Sequence, residues 1–365
     1  MIGRILRPVF ALLLVPVLAS CSAIGDVRRD PPARTAAPSP PPATVPAPPP
    51  SAGFDEVRAV RVAVAQRYDD PYLEFSDAAH GWALFAGCDG RPPDRSCPAL
   101  LFSTLDGGRS WLQVRHPRPV ADNQQLYTAP GLVVLGAEPH GWYASTNGGA
   151  SFVRTAEVPA EWRAAQGRFQ VIEATGRVGE WDGRRSRPLA AQPPVPGLDT
   201  VASSDDLLVA AGMADDRPYA AVSTDRGRSW QPTPVPAPDG AVSTLRVRVA
   251  PDGDVWLVGE RPDRMDFPAL WRYLGRWLPV PAESCPSRIL SVAPVGAGRV
   301  AVTGPSGVGV VIDGRYTPVA WPLGPNHYLS LLGDGTLVAR APDETVLAVG
   351  PVGTRRWIRV VLVGE

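Results

Sequence analysis

The eight residues Ser223-Thr224-Asp225-Arg226-Gly227-Arg228-Ser229-Trp230 have two close copies in the chain, Thr104-Leu105-Asp106-Gly107-Gly108-Arg109-Ser110-Trp111 and Ser145-Thr146-Asn147-Gly148-Gly149-Ala150-Ser151-Phe152. The shared pattern, hydroxyl-x-Asp-x-Gly-x-Ser-aromatic, is that of a tight β-hairpin. Gly108, Gly149 and Gly227 permit the positive φ of a short turn, and the Asp two residues earlier can accept hydrogen bonds from backbone N–H groups in the loop. Asn147 keeps an acceptor oxygen and tolerates the same backbone. Trp111, Phe152 and Trp230 then open the next strand with a large apolar group suited to packing between sheets. These positions read as structural staples, not as ligand contacts.

Four weaker turns continue the series: Glu180-Trp181-Asp182-Gly183, Tyr273-Leu274-Gly275-Arg276-Trp277, Ile312-Asp313-Gly314-Arg315-Tyr316, and Gly350-Pro351-Val352-Gly353 ahead of Trp357. Corner positions 106, 147, 182, 225, 274, 313 and 351 are separated by 41, 35, 43, 49, 39 and 38 residues. Units of about forty residues built from short β-branched and aromatic runs predict the blades of an all-β propeller, each blade four antiparallel strands. Seven blades fit the gaps best; six and eight stay open. The motif is the Asp-box, and the chain resembles the BNR or sialidase-type β-propellers, which include sialidases, sortilin-type receptors and photosystem-assembly propellers. The resemblance implies that the box itself is structural.

In the first unit strands are expected at 72–76, 81–86, 99–104 and 110–115, and in the fourth at 198–203, 207–212, 219–224 and 229–233. The third unit, around 169–189, is short, and only 160–165 suggests a helical turn. The alternating run 57–64 is suited to closing the ring on the last blade, although 357–363 already offers that blade a fourth strand.

Residues 1–20 read as a signal peptide: Arg4 and Arg7 precede an apolar run, 9–18, that is short for a bilayer span. Leu18-Ala19-Ser20-Cys21 resembles the lipobox of bacterial lipoproteins, in which the cysteine thiol is acylated and becomes the mature N-terminus. An ordinary cleaved leader with an incidental cysteine is the alternative. Residues 21–53 form a Pro-rich tether, extended at ~3.1 Å per residue, and 54–365 form the propeller domain. The expected address is the extracytoplasmic face of a membrane, held by palmitate-type acyl chains and not by a spanning helix.

Formal charge is zero, and the 36 basic residues are all arginine. That balance argues against nucleic-acid binding, which needs clustered positive charge, and the Arg-only, Ala- and Pro-rich usage suggests a high-GC bacterial source. Cys88 and Cys97 bracket a polar loop and are expected to form a disulfide; closing so short a loop contributes ~2–3 kcal/mol at most and serves mainly to fix its shape. Cys285 is left over, either buried and inert or open to a partner.

In each antiparallel blade the box hairpin, between the third and fourth strands, shares a face with the first-to-second turn. The opposite face carries the second-to-third loops and the links between blades, where binding residues concentrate on a rigid scaffold. Candidate ligand-face residues there are Asp94, Arg95, Asp215, Arg217, Arg261, Asp263 and Arg264, with solvated, mutually balancing loop charges as the plainer reading. A protein, peptide or carbohydrate over the ring mouth is the functional one.

Sialidases of this architecture use three arginines for the substrate carboxylate, a Tyr-Glu nucleophile pair and an aspartic acid near an early Arg-Ile-Pro. The chain has no Arg-Ile-Pro; Ser287-Arg288-Ile289-Leu290 comes late and lacks the proline. His80, His116, His140 and His327 lack metal-ligand spacing, Gly304-Pro305-Ser306-Gly307-Val308 misses the nucleophile elbow, and Asp252-Gly253-Asp254 is a hairpin turn and not a calcium loop. No catalytic set, metal or cofactor is expected. The sequence thus points to a lipid-anchored binding or assembly scaffold at the cell envelope, with a sialidase-type glycosidase and a purely structural envelope protein as rivals. A funnel holding three close arginines with a Tyr-Glu contact would favour the enzyme, and a mixed-charge mouth without that set would favour binding.

Overall fold

Short runs of Val, Leu, Ala and aromatic residues, cut by Gly, Pro and Asp, fold into seven sheets among the described residues, the blades of a β-propeller. The computed structural model describes residues 53–90, 97–120, 124–263, 266–281, 285–286 and 288–365. Of the chain's two units, Met1–Ala43 and Thr44–Glu365, all described residues belong to the second. The leader, Cys21 and the tether up to residue 52 lie outside them, as do Asp94, Arg95 and Arg264.

Each blade begins at its innermost strand and works outward. The inner strands are Tyr72–Phe75, Gln124–Ala129, Phe169–Ile172, Leu198–Ser204, Thr244–Val249, Ser291–Gly296 and Tyr328–Leu331. Second strands such as Gly81–Phe85 and Leu132–Ala137 are buried along their whole length, because blades cover both of their faces. The core is therefore a succession of blade interfaces. Phe75 and Phe85 of the first blade meet Val338, Leu347 and Val360 of the seventh, and Trp82 and Leu101 meet Leu126 and Leu135 of the second. Val209 and Val222 of the fourth meet Leu245 and Trp271 of the fifth. Complete burial of such side chains stabilises by roughly 1.5–3 kcal/mol apiece, so most of the folding energy lies between blades.

Five blades have four antiparallel strands; the third and seventh differ. The third has three: Phe169–Ile172, Arg177–Trp181 and Ser186–Pro188. Its first strand lines the central channel, so the missing strand is the outer one. The turn at Asp182-Gly183, read from the spacing as a third-to-fourth corner, instead joins the second and third strands. Asp182 accepts N–H bonds from Arg184 and Arg185, the local chemistry of a tight turn whichever strands it connects. Beyond Pro188, the Gln192 side chain substitutes for a neighbouring strand: its Oε1 accepts from Val178 N–H and its Nε2 donates to Val178 C=O. The helix Ala160–Ala165, where one turn was expected, lays Trp162 on Tyr127, ring centroids 5.3 Å apart, and so covers the second blade on the side of this thin one.

The seventh blade has its own outer strand, Arg356–Gly364, as expected, and Glu56–Val62 adds to it as a parallel fifth strand. This run closes the ring from outside without completing a blade. Arg58, buried, donates from Nη1 to Gly107 C=O at 2.6 Å in the first box, which ties the N-terminal strand to the first blade as well as the last.

The three boxes share one hydrogen-bond network, and its centre is the hydroxyl. Ser223 Oγ accepts from Gly227 N–H at 2.7 Å and donates to Asp225 Oδ1 at 2.7 Å; Asp225 accepts from Ser229 N–H at 2.9 Å and from Ser229 Oγ at 2.6 Å. Thr104 with Asp106 repeats it, and so does Ser145 with Asn147 except that Asn147 Nδ2 donates to Ser151 Oγ. The hydroxyl is buried, and the Asp or Asn stands at the rim. Gly108, Gly149 and Gly227 have the expected positive φ, 90°, 82° and 80°. The aromatic residues pack on the preceding blade: Trp111 joins the cluster with Val360, Phe152 the one with Trp82, and Trp230 Nε1 donates to Ala191 C=O at 3.2 Å.

Candidate functional site

Since every blade starts at its inner strand, the starts of those strands, the links and the second-to-third loops share one face. Few of the loops on that face are long. Asp215-Asp216 and Pro342-Asp343 are two-residue turns, the first with both aspartates left-handed at φ 47° and 57°. Arg217 opens the strand after the first of these and is exposed. Arg261 is spent on its own loop, donating to Phe267 C=O and Ala241 C=O at 3.0 Å each, while Asp263 accepts the N–H of Asp266. Cys88 and Cys97 are paired as expected. Arg261 and Asp263 thus hold their own loop together, and Arg217 stands on a separate strand end.

The converging groups lie on the inner strands. Five blades, the third to the seventh, enclose a channel cavity of about 660 Å³. It runs through Arg248, Val292 and Leu329 into a further cavity of about 500 Å³ at the strand-entry mouth, walled by Arg246, Glu260 and Tyr328. A third hollow, about 300 Å³, opens beside Tyr328 between the seventh and first blades, with Tyr72 and Arg340 in its wall. Tyr328 and Tyr72 are 59% and 48% exposed, unusual for large rings without a covering partner.

Two charged arrangements occupy this mouth. Tyr72 Oη donates to Glu74 Oε1 at 2.5 Å, and Arg340 Nη2 donates to Glu74 Oε2 at 2.7 Å. Burial raises the Glu74 carboxyl above its usual range, with Arg340 opposing; burial and then the neighbouring Glu74 push the Tyr72 phenol up to about 12. On the fifth blade, Arg246 and Arg248 point from alternate positions of one strand. Arg246 is paired with Glu260, and Arg248 has no ion-pair partner among the described residues. Arg248 is exposed to the channel, yet the protein around it holds its guanidinium below the ordinary arginine range, by burial first and by Arg246 second.

Sequence reasoning missed these residues because it looked to loops. One signal was present: Thr244-Leu245-Arg246-Val247-Arg248-Val249 alternates polar with apolar, so both arginines occupy one face of the strand. The Tyr-Glu contact set out as a criterion for the enzyme exists at Tyr72 and Glu74. Among the described residues of this mouth the three-arginine grip is not assembled, since Arg340 and Arg246 are each engaged by a glutamate. Among the described residues no group of three or more His, Cys, Asp or Glu is placed to hold a metal.

No family model matches the chain, and no curated protein does. Solved structures match over most of its length. YCF48 bound to D1 peptide is 16% identical over 82% of this chain and 94% of that chain, with a TM-score of 0.41. YCF48 from Cyanidioschyzon merolae is 15% identical over 77% and 94%, TM-score 0.43, and apo AztD from Citrobacter koseri is 12% identical over 80% and 89%, TM-score 0.38. What this ring binds is therefore read from its own side chains.

Proposed function

We propose that the chain is a lipid-anchored, extracytoplasmic propeller of the Asp-box type that binds a polypeptide at its strand-entry mouth and acts as a binding or assembly scaffold at the cell envelope. Acylated Cys21 is the anchor, and the tether 21–53 holds the ring clear of the lipid headgroups. The mouth carries the binding reading: exposed Tyr328 shares its cavity with Arg248, a guanidinium without an ion-pair partner among the described residues, above a channel of about 660 Å³, and exposed Tyr72 lines the adjoining hollow with Tyr328. Amphipathic rings and arginine dominate the energetics of protein recognition; a carbohydrate stacking on the same rings is the alternative ligand. The test is capture from envelope extracts by the wild-type chain and by an Arg248→Ala, Tyr328→Ala double variant. Loss of the captured partner with an unchanged melting temperature supports the site, and equal capture places binding elsewhere. Cys21→Ala should move the protein from the membrane to the soluble fraction, and unchanged fractionation removes the anchor.

The Tyr72–Glu74 contact favours one second reading, a sialidase-type glycoside hydrolase with Tyr72 as nucleophile and Glu74 as its base. With Arg340 and Arg246 already held by glutamates, the expected outcome with a fluorogenic sialoside is no turnover. Release that disappears in Tyr72→Phe would establish the enzyme.

A further inference from the structure

The opposite end of the channel holds a second cavity. First-to-second turns of the fifth, sixth and seventh blades, with the hairpin before the last strand, enclose about 540 Å³ there. Arg355 lines it and is 9% exposed, yet its Nε and Nη1 are shut away from solvent without a hydrogen-bond partner. Arg299, in the same wall, has no ion-pair partner among the described residues either. A buried guanidinium is costly unless an anion faces it.

Two carboxylates also line the pocket, but their oxygens are committed. Asp252 accepts the N–H groups of Ala297 and Asp254. Asp334 accepts the N–H of Ala78 at 2.9 Å and both the N–H and the hydroxyl of Thr336. They hold turns of four blades in place, and neither forms an ion pair with Arg355. Burial alone holds the Arg355 pKa below the ordinary arginine range, which is what a missing counter-ion produces. Arg355 thus lacks a carboxylate in contact with it, while the pocket's fixed carboxylates, which keep their charge, repel a doubly charged anion.

We propose that this pocket binds a carboxylate, with Arg355 as its principal partner and Arg299 as its second. The carboxylate would meet Arg355 at Nη2, the nitrogen not shut away from the pocket, and a single negative charge tolerates the nearby Asp252 and Asp334 better than a phosphate dianion does. A small metabolite and the free C-terminus of a polypeptide offer the same group; the volume admits either.

The experiment follows the melting temperature of the full chain against acetate, a short peptide with a free C-terminus, the same peptide amidated, and inorganic phosphate, at constant ionic strength. Saturable stabilisation by acetate and by the free peptide is expected, with little from phosphate or the amidated peptide. Stabilisation by acetate alone assigns the site to small carboxylates, and tighter binding of the free peptide assigns it to a chain terminus. Arg355→Gln should weaken the effect by about tenfold or more, and Arg299→Gln by less. Should Arg355→Gln fail to fold, the wild-type comparison of free with amidated peptide and of acetate with phosphate still decides. Equal stabilisation by phosphate, no saturable stabilisation by any carboxylate, or an unchanged response in a folded Arg355→Gln overturns the proposal.

Discussion

Gly149 lies against the ring of Trp82: a Cβ at Gly149 would stand 2.7 Å from Trp82 Cη2, across the boundary between the first and second blades. The same corner of the first box abuts Val360 of the seventh blade, and that of the third abuts Leu189 beyond the third blade, at 2.7 and 2.5 Å. The box glycine is thus a contact between blades as well as a turn residue. Gly149→Ala meets both a φ of 82° and Trp82, and is expected to cost about 2–4 kcal/mol. Gly148→Ala, at φ 67° with open space around it, should cost about 1 kcal/mol from the backbone alone. Urea midpoints of the two variants separate the effects, and equal losses would deny the contact any part in stability.

The box network predicts which of its polar groups matters more. Ser223 is buried and is the acceptor for Gly227 N–H, so Ser223→Ala strands that donor and should cost about 1–2 kcal/mol. Asp225 sits at the rim, where bonds from Ser229 and Ser223 lower its carboxyl to about 2. Asn147 already fills the matching position of the second box, accepting from Ser151 N–H at 3.0 Å. Asp225→Asn is therefore expected to shift the thermal midpoint less than Ser223→Ala. The reverse order would return the central role to the carboxylate.

Much of this fold was legible because its signals are local. A hydroxyl, an acid, a glycine and an aromatic within eight residues define a hairpin, and the hairpin repeats at blade spacing. Asp182 shows where that logic stops. Its turn chemistry is the same whether it joins second to third or third to fourth strands, and only the position of Phe169–Ile172 at the channel settles which. The mouth was less legible for a different reason. Tyr72 and Glu74 are two apart on one strand, but the arginine that meets them is Arg340, 266 residues from Glu74, and ring closure alone brings it there. Arg246 and Arg248 read as an exposed strand face; that the face borders a channel depends on the other blades. Loop charge was conspicuous in the sequence, yet at Arg261 it serves the loop's own carbonyls.

Closure of the ring gives a third prediction. Arg58 is buried, donates to Gly107 C=O and grips Glu56 through Nε and Nη2 at 2.8 and 2.9 Å. Arg109 of the first box and Arg356 of the last strand also reach Glu56, so one carboxylate gathers arginines from three elements and is lowered to about 2, first by its bond to Arg58. Arg58→Met removes the inner connection and should cost about 2–3 kcal/mol. Hydrogen exchange should quicken first in Glu56–Val62, which has only Arg356–Gly364 as a strand neighbour. Uniform acceleration over all blades would show instead that closure and global unfolding are one event.

His116 gives the fourth, through pH. It is buried, its Nδ1 accepts Arg118 N–H at 3.0 Å, and burial pushes its pKa down to about 4 against a smaller opposing effect of Gln124. In the unfolded chain a histidine titrates near ~6.5, so between that value and about 4 the unfolded state binds the extra proton. The contribution of neutral His116 is fully present above pH ~6.5 and is lost as pH falls through the folded value, on the order of 3 kcal/mol in all. The lowered carboxyls of Asp106 and Asp225 act in a lower window, since their contributions remain until pH drops below the ordinary aspartate value. Glu74, raised by burial, works in the opposite direction, because its protonation favours the folded state. Urea unfolding from pH 7.5 to 4.5 should therefore show stability declining with acid, and His116→Asn should flatten the decline even where it lowers stability at neutral pH. An unchanged slope in that variant would assign the acid sensitivity to other groups and leave His116 without a measurable part in it.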